Sequence, residues 1–143
     1  MAITKADEAL LSLLRENARA SAAQIARRLQ LSRTTVQSRI QRLEQMGVIA
    51  GYTVRIGDDF TRERIRALIM VTVLPKQMPG VVQALHAMPE VRSLQSVSGG
   101  WDLVALATVP TIGEMDELTD RIGALQGVER TTSSLVLSTK FER

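Results

Sequence analysis

The chain has 143 residues, a net charge of +3, 45% hydrophobic residues and no cysteine. That length buries one good core or two modest ones, and two modest cores usually need oligomerisation to be stable. The lack of cysteine excludes disulfides and thiolate metal sites, while the lack of an apolar leader or of a run near the roughly 20 apolar residues of a membrane span makes cytoplasm the expected location, with no membrane partner.

The first predicted helix runs from Thr4 to Asn17, where Ala6, Leu10, Leu13 and Leu14 form one apolar stripe. A second begins at Ser21, which with Gln24 makes a capping box, and turns Ala22, Ile25, Ala26 and Leu29 inward. A third begins at Ser32, another good N-cap, with Val36, Ile40 and Leu43 at helical spacing and Gly47 as its stop. Two short helices joined by a short turn and braced by one upstream have the form of a helix-turn-helix. The outer face of the third reads Arg33, Thr34, Gln37, Ser38 and Gln41, flanked by Arg39 and Arg42. Short hydroxyl and amide side chains reach base edges in a major groove, and guanidinium groups suit guanine or phosphate. Arg33, Thr34, Gln37 and Ser38 are therefore expected at base edges. Ser32, Arg39, Arg42 and Arg27 or Arg28 are expected on phosphates, with Thr35 in the same DNA-binding set. Any soluble helix has a polar face, but three helices in this order make that plain reading weaker.

After Gly47 the β-prone run Val48 to Arg55 reads as a strand leaving the unit, which makes it a winged or strand-extended helix-turn-helix. Residues 21–55 carry six arginines against one glutamate, a net +5, whereas residues 57–143 carry nine basic and eleven acidic groups, a net −2. Positive charge gathered at one end is the footprint of a phosphate-binding module joined to a part that does not touch nucleic acid. The stretch Gly57-Asp58-Asp59-Phe60-Thr61-Arg62-Glu63-Arg64 breaks the pattern. The expected division is residues 1–52 for DNA binding, 53–65 as linker strand and hinge, and 66–143 as a second domain that does not touch nucleic acid.

The second half repeats itself. Ile65 to Leu74, Pro79 to Ala87 and Val91 to Ser98 read as strand, helix and strand; Trp101 to Val109, Thr111 to Leu125 and Val128 to Leu137 read the same way. Each helix leaves through the same device, Met88-Pro89-Glu90-Val91 and then Leu125-Gln126-Gly127-Val128, and Thr111 with Glu114 adds a capping box. Two βαβ units give a ferredoxin-like, four-stranded antiparallel sheet with its helices on one face. The fold class is thus α+β, a winged-type helix-turn-helix followed by a ferredoxin-like βαββαβ domain. The runs Ala67 to Leu74 and Leu103 to Ala107 are apolar without clean alternation, which predicts burial on both faces. Two helices cover one face, so the other is expected to pack on a second subunit in a two-fold homodimer that presents two reading helices to DNA half-sites.

Several motifs together resemble the Lrp/AsnC family, the feast/famine regulators. They are Glu16-Asn17-Ala18-Arg19-Ala20-Ser21, Leu31-Ser32, Val36 with Arg39-Ile40, Arg42-Leu43-Glu44, and Gly47-Val48-Ile49-Ala50-Gly51-Tyr52. Val97-Ser98-Gly99-Gly100-Trp101-Asp102 and Gln126-Gly127-Val128-Glu129-Arg130-Thr131-Thr132-Ser133-Ser134 are similar to the turn and late strand of that family's sensing domain, so the resemblance spans essentially the whole chain. It departs at Thr4, where the family often has Asp, and at Gln30, where it commonly has Gly. A non-glycine residue held at positive φ there would cost roughly 1 kcal/mol.

The resemblance implies a nucleoid-associated transcription regulator whose residues 66–143 are a ligand-sensing and oligomerisation domain of the ACT-like or RAM kind and whose dimers assemble further, to tetramers or octamers. It also implies a small effector, usually an amino acid, near Ser98, Gly99, Gly100, Trp101 and Asp102 and the strand Thr131, Thr132, Ser133 and Ser134. Glycines leave amides approachable, hydroxyls can bond a carboxylate, and Asp102 can receive an ammonium group. The same Gly99-Gly100 pair also reads as a plain hairpin turn whose amides Asp102 ties down, and Trp101 as pocket wall or core. No metal or other cofactor is expected; the lone His86 has no ligand-spaced partner and the six methionines are scattered.

Two rival functions belong beside this one. An architectural, nucleoid-type DNA-binding protein would use the same helices with little sequence preference and no effector. An allosteric amino-acid-binding module of an enzyme would share the second domain. No nucleophile with a base, phosphate-cradling loop or His cluster is legible, so catalysis is not expected.

Overall fold

The computed structural model describes residues 2–57, 60 and 63–142, and the chain divides into two compact units at residues 1–55 and 56–143. The linker residues Asp58, Asp59, Thr61 and Arg62 lie outside the described residues.

The first unit holds α1 (Lys5–Glu16), α2 (Ala22–Leu29) and α3 (Arg33–Gln45). Each starts where a side chain can satisfy the free amides of a first turn. At α1 the Thr4 hydroxyl accepts from the Asp7 amide at 3.2 Å, and the Asp7 carboxylate accepts from the Thr4 amide at 2.8 Å. At α2, Ser21 and Gln24 make the same reciprocal pair at 3.1 and 2.9 Å, and at α3 the Ser32 hydroxyl accepts from the Thr35 amide at 3.1 Å. Leu10, Ile25, Ala26, Val36 and Leu43 meet as the buried core. Gln30 ends α2 at φ 55° and ψ 45°, so a side chain does occupy the left-handed position where glycine is usual, and Leu31 turns back to donate to the Ala26 carbonyl at 2.9 Å.

Residues 50–57 form no strand, contrary to the sequence expectation for Val48 to Arg55. A strand is a property of a pair, and among the described residues no ladder includes this segment. What holds its start is Tyr52, whose hydroxyl donates to Glu44 at 2.6 Å; that carboxylate pushes the Tyr52 pKa up.

The second unit is one antiparallel sheet of β1 (Ile65–Val73), β2 (Val91–Ser96), β3 (Leu103–Val109) and β4 (Val128–Leu135) in the order β2-β3-β1-β4. A short 3₁₀ turn (Pro75–Gln77) leads into α4 (Met78–His86), and α5 (Ile112–Gly123) joins β3 to β4. The repeat extends to individual hydrogen bonds. Val91 donates to Met88 and Val128 to Leu125, each at 3.1 Å. Then the Glu90 carbonyl accepts from Thr108 at 2.9 Å and the Gly127 carbonyl from Leu74 at 2.8 Å. Gly127 has φ 97°, and a Cβ there would lie 2.1 Å from that of Gln77, so its backbone position requires glycine twice over. At α5 the Thr111 hydroxyl caps the Glu114 amide at 3.2 Å, but Glu114 returns to that hydroxyl rather than to the Thr111 amide, so the expected box is half formed.

Burial in β1 and β3 alternates, although their chemistry does not. Ala67, Ile69, Val71 and Val73 with Leu103, Ala105, Ala107 and Val109 are buried under α4 and α5, against Val81, Leu85, Met115, Leu118 and Ile122. The expected burial on both faces is therefore not met within one chain. Leu68, Met70, Val104 and Leu106 line the open face, with Leu68 42% exposed.

Candidate functional site

Along α3, Arg33, Thr34, Gln37 and Ser38 are all exposed, and none of their side chains is spent on a hydrogen bond to another described residue. Helical spacing puts them on the face turned away from Val36 and Leu43, which are fully buried. This is what the packed side dictates: once the apolar stripe is fixed inward, the short polar residues stand outward with free donors and acceptors.

The residues expected on phosphates divide. Arg27 is exposed, with only a long 3.5 Å contact from its Nε to the Ala23 carbonyl. Arg28 pairs with Glu16 at 3.1 Å, a solvent-exposed pair of small energetic weight that leaves the cation available. The Ser32 and Thr35 hydroxyls bond each other at 2.7 Å while Ser32 caps the helix. Arg42 donates to the Asp7 carboxylate at 2.6 Å, tying α3 to the start of α1. Asp7 is 1% exposed. The Thr4 amide, then the Thr4 hydroxyl, outweigh burial and, with Arg42, bring its pKa from 3.8 down to about 2. Arg39 is half-buried, and its Nη1 is shielded from solvent without a hydrogen-bond partner. Arg39 and Arg42 line a cleft of about 490 Å³ with Thr4, Thr34, Thr35 and Ser38.

Sequence reading passed over Asp7. The T-x-x-D spacing of a cap is visible from Thr4, but nothing local announces that the same carboxylate receives Arg42 from a helix 35 residues on.

In the second unit, Ser98, Gly99 and Gly100 are exposed in the turn between β2 and β3, with Gly99 at φ 102°. Asp102 is half-buried. Its Oδ2 accepts from the Val73 amide at 2.8 Å, its amide donates to Val71 at 3.0 Å, and its carbonyl accepts from Val97 at 3.0 Å. The side chain thus anchors the end of β1 rather than the amides of its own turn. Trp101 is half-buried beneath the Arg130 guanidinium, which stands 4.5 Å from its ring centroid, a cation–π pair that sequence spacing did not foretell.

The register splits the β4 hydroxyls between faces. Thr131 and Ser133 lie beside Val71 and Ile69 on the helix side, while Thr132 and Ser134 lie beside Met70 and Leu68 on the open side. The turn and the start of β4 share one end of the sheet, with β1 between them. His86 is exposed at the end of α4, and no group of His, Cys, Asp and Glu among the described residues is arranged to hold a metal ion.

Comparison with known proteins agrees with both units. Residues 3–50 match the winged helix-turn-helix DNA-binding model and residues 66–143 the Lrp/AsnC ligand binding domain model. The chain is 34% identical to the HTH-type transcriptional regulator LrpA of Mycobacterium tuberculosis, covering 98% of this chain and 93% of that one. It is 31% identical to the regulator LysM of Sulfurisphaera tokodaii, covering 97% and 98%. Its fold superposes with a TM-score of 0.90 on a Neisseria meningitidis transcriptional regulator solved with L-Met, at 22% identity over 99% of this chain and 94% of that one. The chain belongs to the Lrp/AsnC family and is a transcriptional regulator with a helix-turn-helix DNA-binding domain and a ligand-binding domain.

Proposed function

We propose that this Lrp/AsnC-family regulator reads specific DNA sites with α3 as a homodimer, and that a small amino acid alters its DNA binding or its assembly into larger rings. The observation that carries the reading is the outward row Arg33, Thr34, Gln37 and Ser38, exposed and uncommitted on a rigid helix. The half-exposed apolar stripe Leu68, Met70, Val104 and Leu106 supports dimerisation through the open sheet face, because a second copy of the same stripe would bury it. For the effector, the support is the ligand-binding family match of residues 66–143 and the L-Met seen in the Neisseria protein of the same fold. The turn Ser98 to Asp102 and the hydroxyls Thr131 to Ser134 are the residues assigned to it.

The test uses a duplex recovered by in vitro selection against a random duplex at fixed salt. Gln37→Ala should lower the specificity ratio by about tenfold, a loss of 1–3 kcal/mol of base discrimination, with binding to random DNA unchanged. Equal losses on both duplexes would remove Gln37 from base reading. A thermal-shift panel of amino acids addresses the effector, since a ligand of the native state raises Tm. Asp102→Asn, which keeps an acceptor for the Val73 amide, should abolish the shift; a panel without any shift would count against the amino-acid reading.

A further inference from the structure

The cleft between the opening of α1 and the flank of α3 contains two arginines in different states. Arg42 is already held by Asp7 at 2.6 Å, whereas Arg39 has a buried Nη1 with no partner. Nη1 is closed off from the cleft, but the Arg39 side chain lines it, and among the described residues no carboxylate offsets this guanidinium as Asp7 offsets Arg42. The hydroxyls on the inner wall are engaged elsewhere: Thr4 Oγ1 lies 2.8 Å from Asp7 Oδ2, and Thr35 bonds Ser32 at 2.7 Å. Two guanidinium groups and one carboxylate leave the cleft with one surplus positive charge, and a phosphodiester carries one negative charge. The volume of about 490 Å³ is ample for a phosphate group with its flanking sugar atoms.

We propose that this cleft is a socket for a single backbone phosphate of DNA, with Arg39 as the binding group and Asp7 as the positioning residue that fixes Arg42 beside it. The inference rests on the DNA-binding reading above and adds α1 to the interface: Thr4 and Asp7 become part of the apparatus that grips the backbone. Arg42, though exposed, is thereby held in one orientation, and its carboxylate partner offsets the repulsion between two guanidinium groups one helical turn apart. Phosphate contacts of this kind fix register and carry no sequence information.

The experiment measures affinity for a random-sequence duplex across a KCl series, where each neutralised phosphate contributes about 0.9 to the slope of log K against log salt. Arg39→Gln should flatten that slope by about one such increment per bound subunit. The double variant R39Q/R42Q should flatten it no further, because both side chains serve one phosphate. Asp7→Asn, compared at equal folded fraction by circular dichroism, should flatten it although no cation has been removed, an effect that a merely structural role would not produce. Additive slopes in the double variant would mean two separate phosphates and overturn the socket. An unchanged slope in Arg39→Gln would do the same, and an unchanged slope in Asp7→Asn would remove the positioning role. Arg39→Gln breaks no intrachain hydrogen bond at Nη1, so it decides the matter even when Asp7→Asn unfolds. Loss of all salt-dependent duplex binding in the unaltered protein would overturn the DNA reading itself; intact binding with unaltered variant slopes overturns the socket alone.

Discussion

The two units are held together by different means. In the sheet unit, thirteen buried apolar side chains from β1, β3, α4 and α5 pack into one core, with no wholly buried charged residue among the described residues, although one carboxylate oxygen of Glu90 is shielded from solvent. The helix-turn-helix buries five, and beside them Asp7 with its bonds to Thr4 and Arg42; each of its helices also starts on a side-chain cap. The difference follows from size and task. Three short helices that must keep one face polar for a ligand have too little apolar surface left over, so polar contacts of specific geometry complete the work. Such a unit is well defined but electrostatically sensitive, while the sheet unit is indifferent to pH and salt over most of its core.

The largest mutational effect is expected in the sheet core. Leu118→Ala should cost about 2–5 kcal/mol in urea unfolding, as expected for a fully buried leucine; a loss below about 1 kcal/mol would mean that this core yields easily and does not carry the unit.

Acid should separate the two units next. The Asp7 pKa is depressed, from 3.8 to about 2, so its contribution is complete above the ordinary carboxylate value and is lost as pH falls through about 2. Glu90 in the sheet unit is depressed too, first by its own backbone amide and then by Arg121, but it fastens a surface turn rather than a core. Amide NMR spectra on acidification should therefore lose the dispersed signals of residues 4–45 before those of the sheet, and the reverse order would show that the caps and the Asp7 pair are not what the reading unit depends on.

The smallest effect is expected at a single backbone position of the helix-turn-helix. Gln30→Gly relieves the left-handed conformation at φ 55° and should raise stability by up to about 1 kcal/mol, less what glycine adds to the freedom of the unfolded chain. A lowered Tm would reveal that the Gln30 side chain contributes packing that outweighs its strain.

What was legible in the sequence was local. Ser21, Gln24 and Ser32 announce their helices because a cap involves residues three apart, and the repeated Met88 to Val91 and Leu125 to Val128 turns announce the sheet because both copies bond alike. The polar row on α3 was legible for the same reason. The bond from Arg42 to Asp7, the anchoring of Val73 by Asp102 and the stacking of Arg130 on Trp101 were not, since each joins residues far apart in the chain. The run from Val48 to Arg55 has strand-forming residues but no partner strand in its own unit, and composition alone does not distinguish the two situations. In β1, the apolar residues Leu68 and Met70 masked an alternation that only packing exposes.

The strand order β2-β3-β1-β4 places a strand of the other copy between the two strands of each βαβ repeat. Neither half of the repeat is consequently a folding unit: β1 and β2 without β3 have no ladder at all. A nascent chain can complete the helix-turn-helix from contacts within its first 52 residues, among them the bonds from Ile49 to Leu43 and from Tyr52 to Glu44. The sheet, by contrast, keeps one edge of β1 unpaired until residues 128–135 arrive, even after β3 has paired with the other, which makes that interval the one in which this protein most needs protection from aggregation.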